Sequence, residues 1–211
     1  MKAYQYYPVG VCRRAWACGF VSAHDALRVA AWKQARIPAA MSVNPPLQIE
    51  RVTAAAMAKL RASGCQHWQP FGNQAPAFWQ SYEDLVRDVV GAKSGRTGLY
   101  ALDGLGYPMA SAILCVLDPT MFPVIDQHAV RAIFGTEPDG SDFGTKKWYC
   151  ARVYAAYARH LATVVHNQWP AHTFHRLDVE AMRAGKRIRV EDRDGSQQTR
   201  LNWPVVGMPA C

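Results

Sequence analysis

Apolar residues recur at intervals of three and four along most of this chain, with polar residues between them. That spacing places the apolar side chains on one face of an α-helix. The pattern predicts helices over residues 22–36, 49–64, 79–91, 127–134, 149–165 and 177–184. We therefore expect an all-α fold.

Residues typical of helix ends support these boundaries. A capping-box-like pattern begins at Ser22 and opens the first helix. Gly64 and Gly91 directly follow the last apolar positions of the second and third helices, where glycine commonly ends a helix. Pro38 and the Pro45-Pro46 pair indicate a loop between the first two helices.

Strand-like alternation occurs only near the C-terminus. Ile188 and Val190 alternate with charged residues ahead of an Asp194-Gly195 turn, a pattern compatible with a small β-hairpin. We therefore treat residues 185–211 as a C-terminal extension. No stretch elsewhere has the composition of a linker, so residues 1–211 are predicted to form a single unit.

The most informative local feature is the tripeptide Gly104-Leu105-Gly106, which precedes an apolar helix. Glycine adopts positive φ and lets another backbone approach closely, so this tripeptide can turn sharply. Pro108 suits the first turn of the helix that follows, and residues 97–102 can form a short helix ahead of the turn. Residues 96–117 thus predict a helix–hairpin–helix whose free N–H groups can hold a phosphate.

Asp126 admits two interpretations. It follows the apolar run Phe122-Pro123-Val124-Ile125 and directly precedes the predicted helix 127–134. Aspartate is a preferred N-cap, so the residue can simply cap that helix. A carboxylate close to a phosphate-binding hairpin can also act in catalysis, and the two roles are compatible.

Taken together, these residues resemble the helix–hairpin–helix (HhH-GPD) DNA glycosylase superfamily. The matching pattern is Leu-x-Gly-h-Gly-x-x-x-Ala followed by Phe-Pro-h-h-Asp, with h apolar. It is formed here by Leu102, Gly104, Gly106, Ala110, Phe122, Pro123 and Asp126. The detailed match covers about 35 residues, and the remaining helices fit the architecture of that superfamily only loosely.

The resemblance implies two helical lobes around a cleft that holds double-stranded DNA with one base flipped out of the stack. It also implies that Asp126 is the catalytic carboxylate. Breaking an N-glycosidic bond gives the sugar oxocarbenium character. A carboxylate near C1′ stabilises that charge and can orient or deprotonate the attacking water.

The chain departs from the pattern of the bifunctional relatives at Pro108. Those relatives carry a lysine two residues after the second glycine, and its amine attacks C1′. Proline has no nucleophile, so we predict a monofunctional glycosylase without AP-lyase activity. Lys93 and Lys146 are the nearest lysines in sequence, but neither occupies the motif position.

The cysteines indicate neither an iron–sulfur cluster nor a disulfide framework. Some relatives hold such a cluster through four closely spaced cysteines, whereas the six cysteines of this chain are scattered. We therefore expect no metal and no cofactor, although a hairpin of this type can also bind a monovalent cation.

Several residues are candidates for contacts with DNA. The predicted backbone contacts are Gly104, Leu105, Gly106, Gln127 and Arg131. Lys146 and Lys147 are further candidates for phosphate contacts, although charged residues often only keep a surface solvated. The loop 65–76 is a candidate source of the side chain that fills the space left by a flipped base.

The predicted base pocket contains Tyr107, His128, Trp32 and Arg36. Tyr107 follows the hairpin directly, and Trp32 and Arg36 lie one helical turn apart, so a base could stack beside a guanidinium. Other interpretations stay open, because Trp32 can equally be a core residue with Arg36 solvated. His128 can equally make a structural hydrogen bond.

Charge agrees with a polyanionic partner. The chain has 24 Lys and Arg against 16 Asp and Glu, a formal net charge of +8, which favours DNA through counterion release. The N-terminus lacks the apolar stretch of a signal peptide, and no segment has the length of a membrane span. We expect a monomer in the cytoplasm, associated with the nucleoid.

Two other functional classes remain open. The chain could be a non-catalytic helix–hairpin–helix module that only binds DNA, or a helical interaction domain without DNA affinity. Within the glycosylase hypothesis, the sequence does not identify the base that is excised. Repair of alkylated, oxidised or deaminated bases and defence against phage DNA with modified bases are both compatible with it.

Overall fold

The computed structural model describes residue 8 and residues 10–33, 37–134, 150–166, 174 and 176–184. Of these residues 72% are helical and none is in a strand, which confirms the all-α prediction at the level of fold class. Several predicted features lie outside the described residues, namely the C-terminal hairpin in 185–211, Arg36, Lys146, Lys147 and the side chain of Arg131.

Eight α-helices have the following bounds: α1 Val11–Cys18, α2 Ala23–Lys33, α3 Ile37–Met41, α4 Pro46–Ser63, α5 Pro76–Val90, α6 Tyr107–Leu117, α7 Gln127–Phe134 and α8 Ala151–His160. Residues 176–184 form a further helix, α9. Short 3₁₀ helices cover Cys65–His67 and Gly98–Ala101, and a π-helical turn, Leu161–Val165, follows α8.

Three predicted helix ends are confirmed, whereas α4 and α5 each begin three residues earlier than predicted. Ser22 Oγ accepts the N–H of Asp25 at 3.2 Å at the start of α2, and Gly64 and Gly91 are the C-caps of α4 and α5. The interpretation of the segment around Pro38 as a loop was wrong in part, because α3 runs from Ile37 to Met41. Proline is compatible with the first turn of a helix, where its missing N–H is not needed.

Helix α6 lies at the centre of the molecule. Ten of its eleven residues are buried, which is typical of a helix that is apolar on every side and packed all round. Helices α1 and α2 pack against it from the N-terminal part of the chain, and α5 packs against both α4 and α8. The hairpin therefore leads directly into a helix that is buried on almost every side.

Residues 121–125, which lead to Asp126, are buried and lie outside the helices. The N–H groups of Met121 and Phe122 donate to the backbone carbonyl of Asp118, whereas other backbone groups of this segment bond to side chains. The hydroxyl of Tyr82 on α5 donates to the carbonyl of Met121 at 2.9 Å, and that of Tyr154 on α8 donates to Pro123 at 2.6 Å. Buried backbone groups need partners, and here side chains of different helices supply them.

Two N–H groups of the same segment are bonded in the same way. The N–H of Val124 donates to Oδ2 of Asp178 on α9 at 2.7 Å. The N–H of Ile125 donates to the hydroxyl of Ser111 on α6 at 3.1 Å. Side chains from α5, α6, α8 and α9 thus hold this segment and place Asp126 at its end.

Two further findings concern cysteines and membrane spans. Cys12, Cys18, Cys65 and Cys115 form no disulfide bond, whereas Cys150 is disulfide-bonded, a bond that the scattered spacing did not indicate. Within the described ranges, no helix combines the length and the apolar character needed to cross a bilayer.

We predict that Tyr154→Phe lowers the free energy of unfolding by about 1–3 kcal/mol, because it leaves the buried carbonyl of Pro123 without its donor. Urea unfolding measures the change. Tyr100→Phe is the matched control: the hydroxyl of Tyr100 has no partner among the described residues, so a change within about 0.5 kcal/mol is expected. Equal losses in both variants would contradict the role given to Tyr154.

Candidate active site

The hairpin before α6 needs glycine at its first position. Gly104 has a φ of +74°, a left-handed conformation that other residues rarely adopt. A Cβ atom built there would lie 2.7 Å from Cβ of Ala40 and 2.8 Å from its carbonyl oxygen. The backbone of the hairpin and that of α3 can approach this closely only because Gly104 has no side chain.

The hairpin is also tied to the start of α4. Asn44, which is buried, donates from Nδ2 to the carbonyl of Asp103 at 2.9 Å and accepts the N–H of Asp103 on Oδ1 at 2.7 Å. Gln48 donates from Nε2 to the carbonyl of Ala101 at 3.1 Å. Asn44 and Gln48 could not be recognised from the sequence, since each bonds to a residue more than 50 positions away.

Three consecutive N–H groups of the hairpin have no acceptor. Those of Gly104, Leu105 and Gly106 make no hydrogen bond to any described residue. The side chain of Leu105 is buried, so its contribution to binding is limited to the backbone. Adjacent free N–H groups at the start of a helix form a suitable site for an anion such as a phosphate.

Gly106 differs from Gly104 because the protein itself does not require glycine there. Its φ is −100°, and a Cβ atom would come no closer than 3.7 Å to a described atom, Cδ of Pro108, which is ordinary van der Waals contact. Because Gly106 has no side chain, there is space beside these N–H groups, and no other part of the hairpin fills it.

Asp126 is the N-cap of α7. Its Oδ1 accepts the N–H groups of His128 and Ala129, each at 2.9 Å, which confirms the capping interpretation. Its second oxygen, Oδ2, lies 3.7 Å from Nζ of Lys33, the last residue of α2. The side chain of Asp126 is 17% exposed and that of Lys33 is 6% exposed. The cap fixes one oxygen and leaves the other facing a buried ammonium.

Asp178 is a second carboxyl group close to this pair. It is buried, it accepts the N–H of Val124, and it interacts electrostatically with both Lys33 and Asp126. Burial raises the pKa of Asp178 well above its usual value, although the hydrogen bond from Val124 and the charge of Lys33 oppose that shift. Neither Lys33 nor Asp178 was among the residues predicted to form the site.

The residues predicted to form a base pocket differ in how far their side chains are exposed. Trp32 and Tyr107 are each 4% exposed, so neither ring is open to a ligand in this conformation. Burial also raises the pKa of the Tyr107 phenol. His128 is half-buried and Gln127 is exposed, and both lie beside Asp126. A role for these residues in holding a base remains a prediction.

The loop 65–76 lies on a different part of the molecule from the hairpin. The N–H of Gly72 donates to Ala162 beyond the end of α8, and Phe71 stacks on His166. Gly106, by contrast, shares a cavity with Ala151 at the start of α8. The two features thus contact opposite ends of one helix, and a role for the loop in filling the space left by a flipped base remains a prediction.

The cavity next to the hairpin has a volume of about 540 Å³. It is lined by residues from α5, the hairpin and α8, including Arg87, Lys93, Tyr100, Tyr107 and Arg152. Asp126 is not among its lining residues. Asp126 therefore lies apart from this cavity, whose lining includes Tyr100, Gly106, Tyr107 and Pro108 of the hairpin region.

Groups of three or more metal-binding side chains do not occur in the part of the chain that the structure describes. Comparison of the chain with protein-family models, with curated proteins and with solved structures finds no match.

We predict that replacing the two hairpin glycines by alanine changes the free energy of unfolding by different amounts. Gly104→Ala should lower the free energy of unfolding by about 2 kcal/mol or more, since it combines a positive φ with a close contact to Ala40. Gly106→Ala, the matched control, should change it by less than about 1 kcal/mol. Thermal or urea unfolding tests both variants, and equal losses would show that the hairpin geometry is misassigned.

We also predict a pH-dependent effect of Asp178→Asn. Because the pKa of Asp178 is raised in the folded protein, its contribution to stability is present below the pKa of the unfolded chain, about 4, and is lost as the pH rises. The neutral amide can still accept the N–H of Val124 and does not ionise. The variant should therefore gain stability relative to the wild type between about pH 4 and pH 8. If urea unfolding gives the same difference in stability between the variant and the wild type at pH 4 and at pH 8, the prediction is wrong.

Proposed function

We propose that the protein is a monofunctional DNA glycosylase, which hydrolyses the N-glycosidic bond of a damaged or modified base and leaves an abasic site. The observation that carries the proposal is the presentation of Asp126. One carboxylate oxygen is fixed by the cap of α7, the side chain as a whole is 17% exposed, and the residue lies in the stretch that resembles helix–hairpin–helix glycosylases. We also propose that the substrate is double-stranded DNA, which binds in a cleft between two helical lobes.

The hairpin provides binding and position. The free N–H groups of Gly104, Leu105 and Gly106 can donate to the oxygens of one DNA phosphate. Because Asn44 and Gln48 fix the hairpin to α4, the donors keep their geometry before DNA binds. The net charge of +8 adds sequence-independent attraction to the duplex.

Asp126 provides the chemistry. As the bond between C1′ and the base nitrogen breaks, its electron pair leaves with the base and positive charge develops on the sugar. The Oδ2 carboxylate oxygen stabilises that charge, and water then adds to C1′ and loses a proton. The base gains a proton, so the overall reaction is hydrolysis. The side chain of Pro108 has no amino group that could attack C1′, which favours water as the nucleophile.

A non-catalytic DNA-binding module is the second candidate. The donors of the hairpin favour it, because they would bind a phosphate whether or not Asp126 acts on a sugar. It predicts tight binding to duplex DNA with no base released from any substrate.

We expect Asp126→Asn to separate the two candidates. Asparagine caps helices as well as aspartate does, so the fold and the DNA affinity should be retained. Base release should fall by about 100- to 1000-fold, as for the loss of one electrostatic stabiliser of a transition state. Alkali cleavage at abasic sites measures release, and a filter-binding titration measures affinity.

Asp84→Asn, a change at an exposed carboxylate on α5, is the control and should affect neither quantity. Unchanged base release in Asp126→Asn would remove Asp126 from the mechanism. Absence of release by the wild type from every modified DNA would favour the binding module.

A further inference from the structure

We infer that the cavity beside the hairpin is a second binding site, separate from Asp126, and that it takes a nucleoside 5′-phosphate. The ligand is either a free nucleotide or the 5′-terminal nucleotide of a DNA strand, because both present the same phosphate, sugar and base. The inference does not depend on the proposed glycosylase activity. It depends on the size of the cavity and on the side chains and helix ends that surround it.

The cavity has the size of a small-molecule site. Its volume of about 540 Å³ lies within the range of about 300–1,000 Å³ that is typical of pockets for small ligands and cofactors. Its lining comes from α5 and the segment after it, from the hairpin with the start of α6, and from the start of α8. Asp126 does not line it, so the site is distinct from the proposed catalytic carboxylate.

Cationic side chains predominate in the described lining of the cavity. Arg87, Lys93 and Arg152 are cationic, whereas Glu83 is the one acidic residue among the described lining residues. Arg87 forms ion pairs with Glu83 and Asp84 on its own helix, which hold its guanidinium in place. Lys93 and Arg152 are exposed. Such a lining attracts an anionic ligand, and a phosphate accepts charge-assisted hydrogen bonds from arginine and lysine.

Two helices begin at the same cavity. Gly106 is the N-cap of α6 and Cys150 is that of α8, and neither helix start has a side-chain cap. The N–H groups of Gly106 and Ala151 make no hydrogen bond to any described residue. Free N–H groups and the positive partial charge at the start of a helix favour a phosphate. They therefore add to the attraction by the cationic side chains.

Aromatic side chains indicate a nucleotide rather than a smaller anion. Tyr100 and Tyr107 both line the cavity and contact each other edge to face, with ring centroids 6.2 Å apart. Tyr107 is buried, whereas Tyr100 is half-buried and leaves part of its side chain accessible to a ligand. Every base has a face that stacks on an aromatic ring. Cations beside an aromatic ring thus match the phosphate and the base of one nucleotide.

The test measures the binding of dAMP, deoxyadenosine and inorganic phosphate to the wild type by amide NMR titration. The nucleotide dAMP should bind more tightly than either of its parts, and added salt should weaken its binding because the site is cationic. Tyr100→Leu keeps an apolar side chain and removes the ring. It should weaken dAMP binding by about tenfold and leave the binding of inorganic phosphate unchanged.

Lys93→Gln and Arg152→Gln should each weaken dAMP binding by about tenfold, because each removes a cation that can bond to the phosphate. Arg159→Gln is the matched control. Arg159 is exposed at the other end of α8 and does not line the cavity, so the affinity should change by less than about twofold. Circular dichroism checks the fold of each variant. If Tyr100→Leu fails to fold, the two arginine variants decide the question.

A single-stranded oligonucleotide with a 5′-phosphate separates the two sources of the ligand. If it displaces dAMP and its unphosphorylated counterpart does not, the site takes the end of a strand. If neither displaces dAMP, the site takes a free nucleotide. Equal displacement by both would mean that the cavity binds the phosphate backbone, which overturns the inference. No binding of dAMP, binding no tighter than that of inorganic phosphate, or equal losses in Arg152→Gln and Arg159→Gln overturns it as well.

Discussion

The structure depends on the buried backbone of residues 121–125. This segment forms neither helix nor sheet, so its polar groups would be costly to bury unless other parts of the chain bonded them. Side chains from α5, α6, α8 and α9 do so. The same bonds hold together helices that are distant in sequence and fix the point at which Asp126 begins α7. Stability and the geometry of the candidate site thus arise from one set of interactions.

A comparable constraint acts on the hairpin. Asn44 satisfies both backbone groups of Asp103, and the contact between Gly104 and Ala40 brings α3 and the hairpin together. The hairpin N–H groups that are proposed to bind a phosphate are therefore held in place by the α3–α4 connection as well as by α6. Helix α2, which precedes this connection, ends at Lys33 beside Asp126. The proposed binding and catalytic groups are supported by the same short part of the chain.

Most helices could be predicted from the sequence because their signals are local. Gly64, Gly91 and the cap at Ser22 act on residues within one helical turn, and their boundaries were confirmed. The cap formed by Asp126 is local as well. Lys33 and Asp178 could not be predicted, because their partners lie far away in sequence and only packing brings them together. Helices α1 and α3, of eight and five residues, are too short for a periodic pattern to be recognised.

The way in which residues 121–125 are bonded has a consequence for mutational tolerance. Within a helix, a backbone N–H keeps its partner whichever side chains the helix carries, because the acceptor is another backbone group. The groups of Pro123, Val124 and Ile125 instead depend on the identity of Tyr154, Asp178 and Ser111. Changes that damage this protein should therefore be concentrated at buried positions that never meet a substrate.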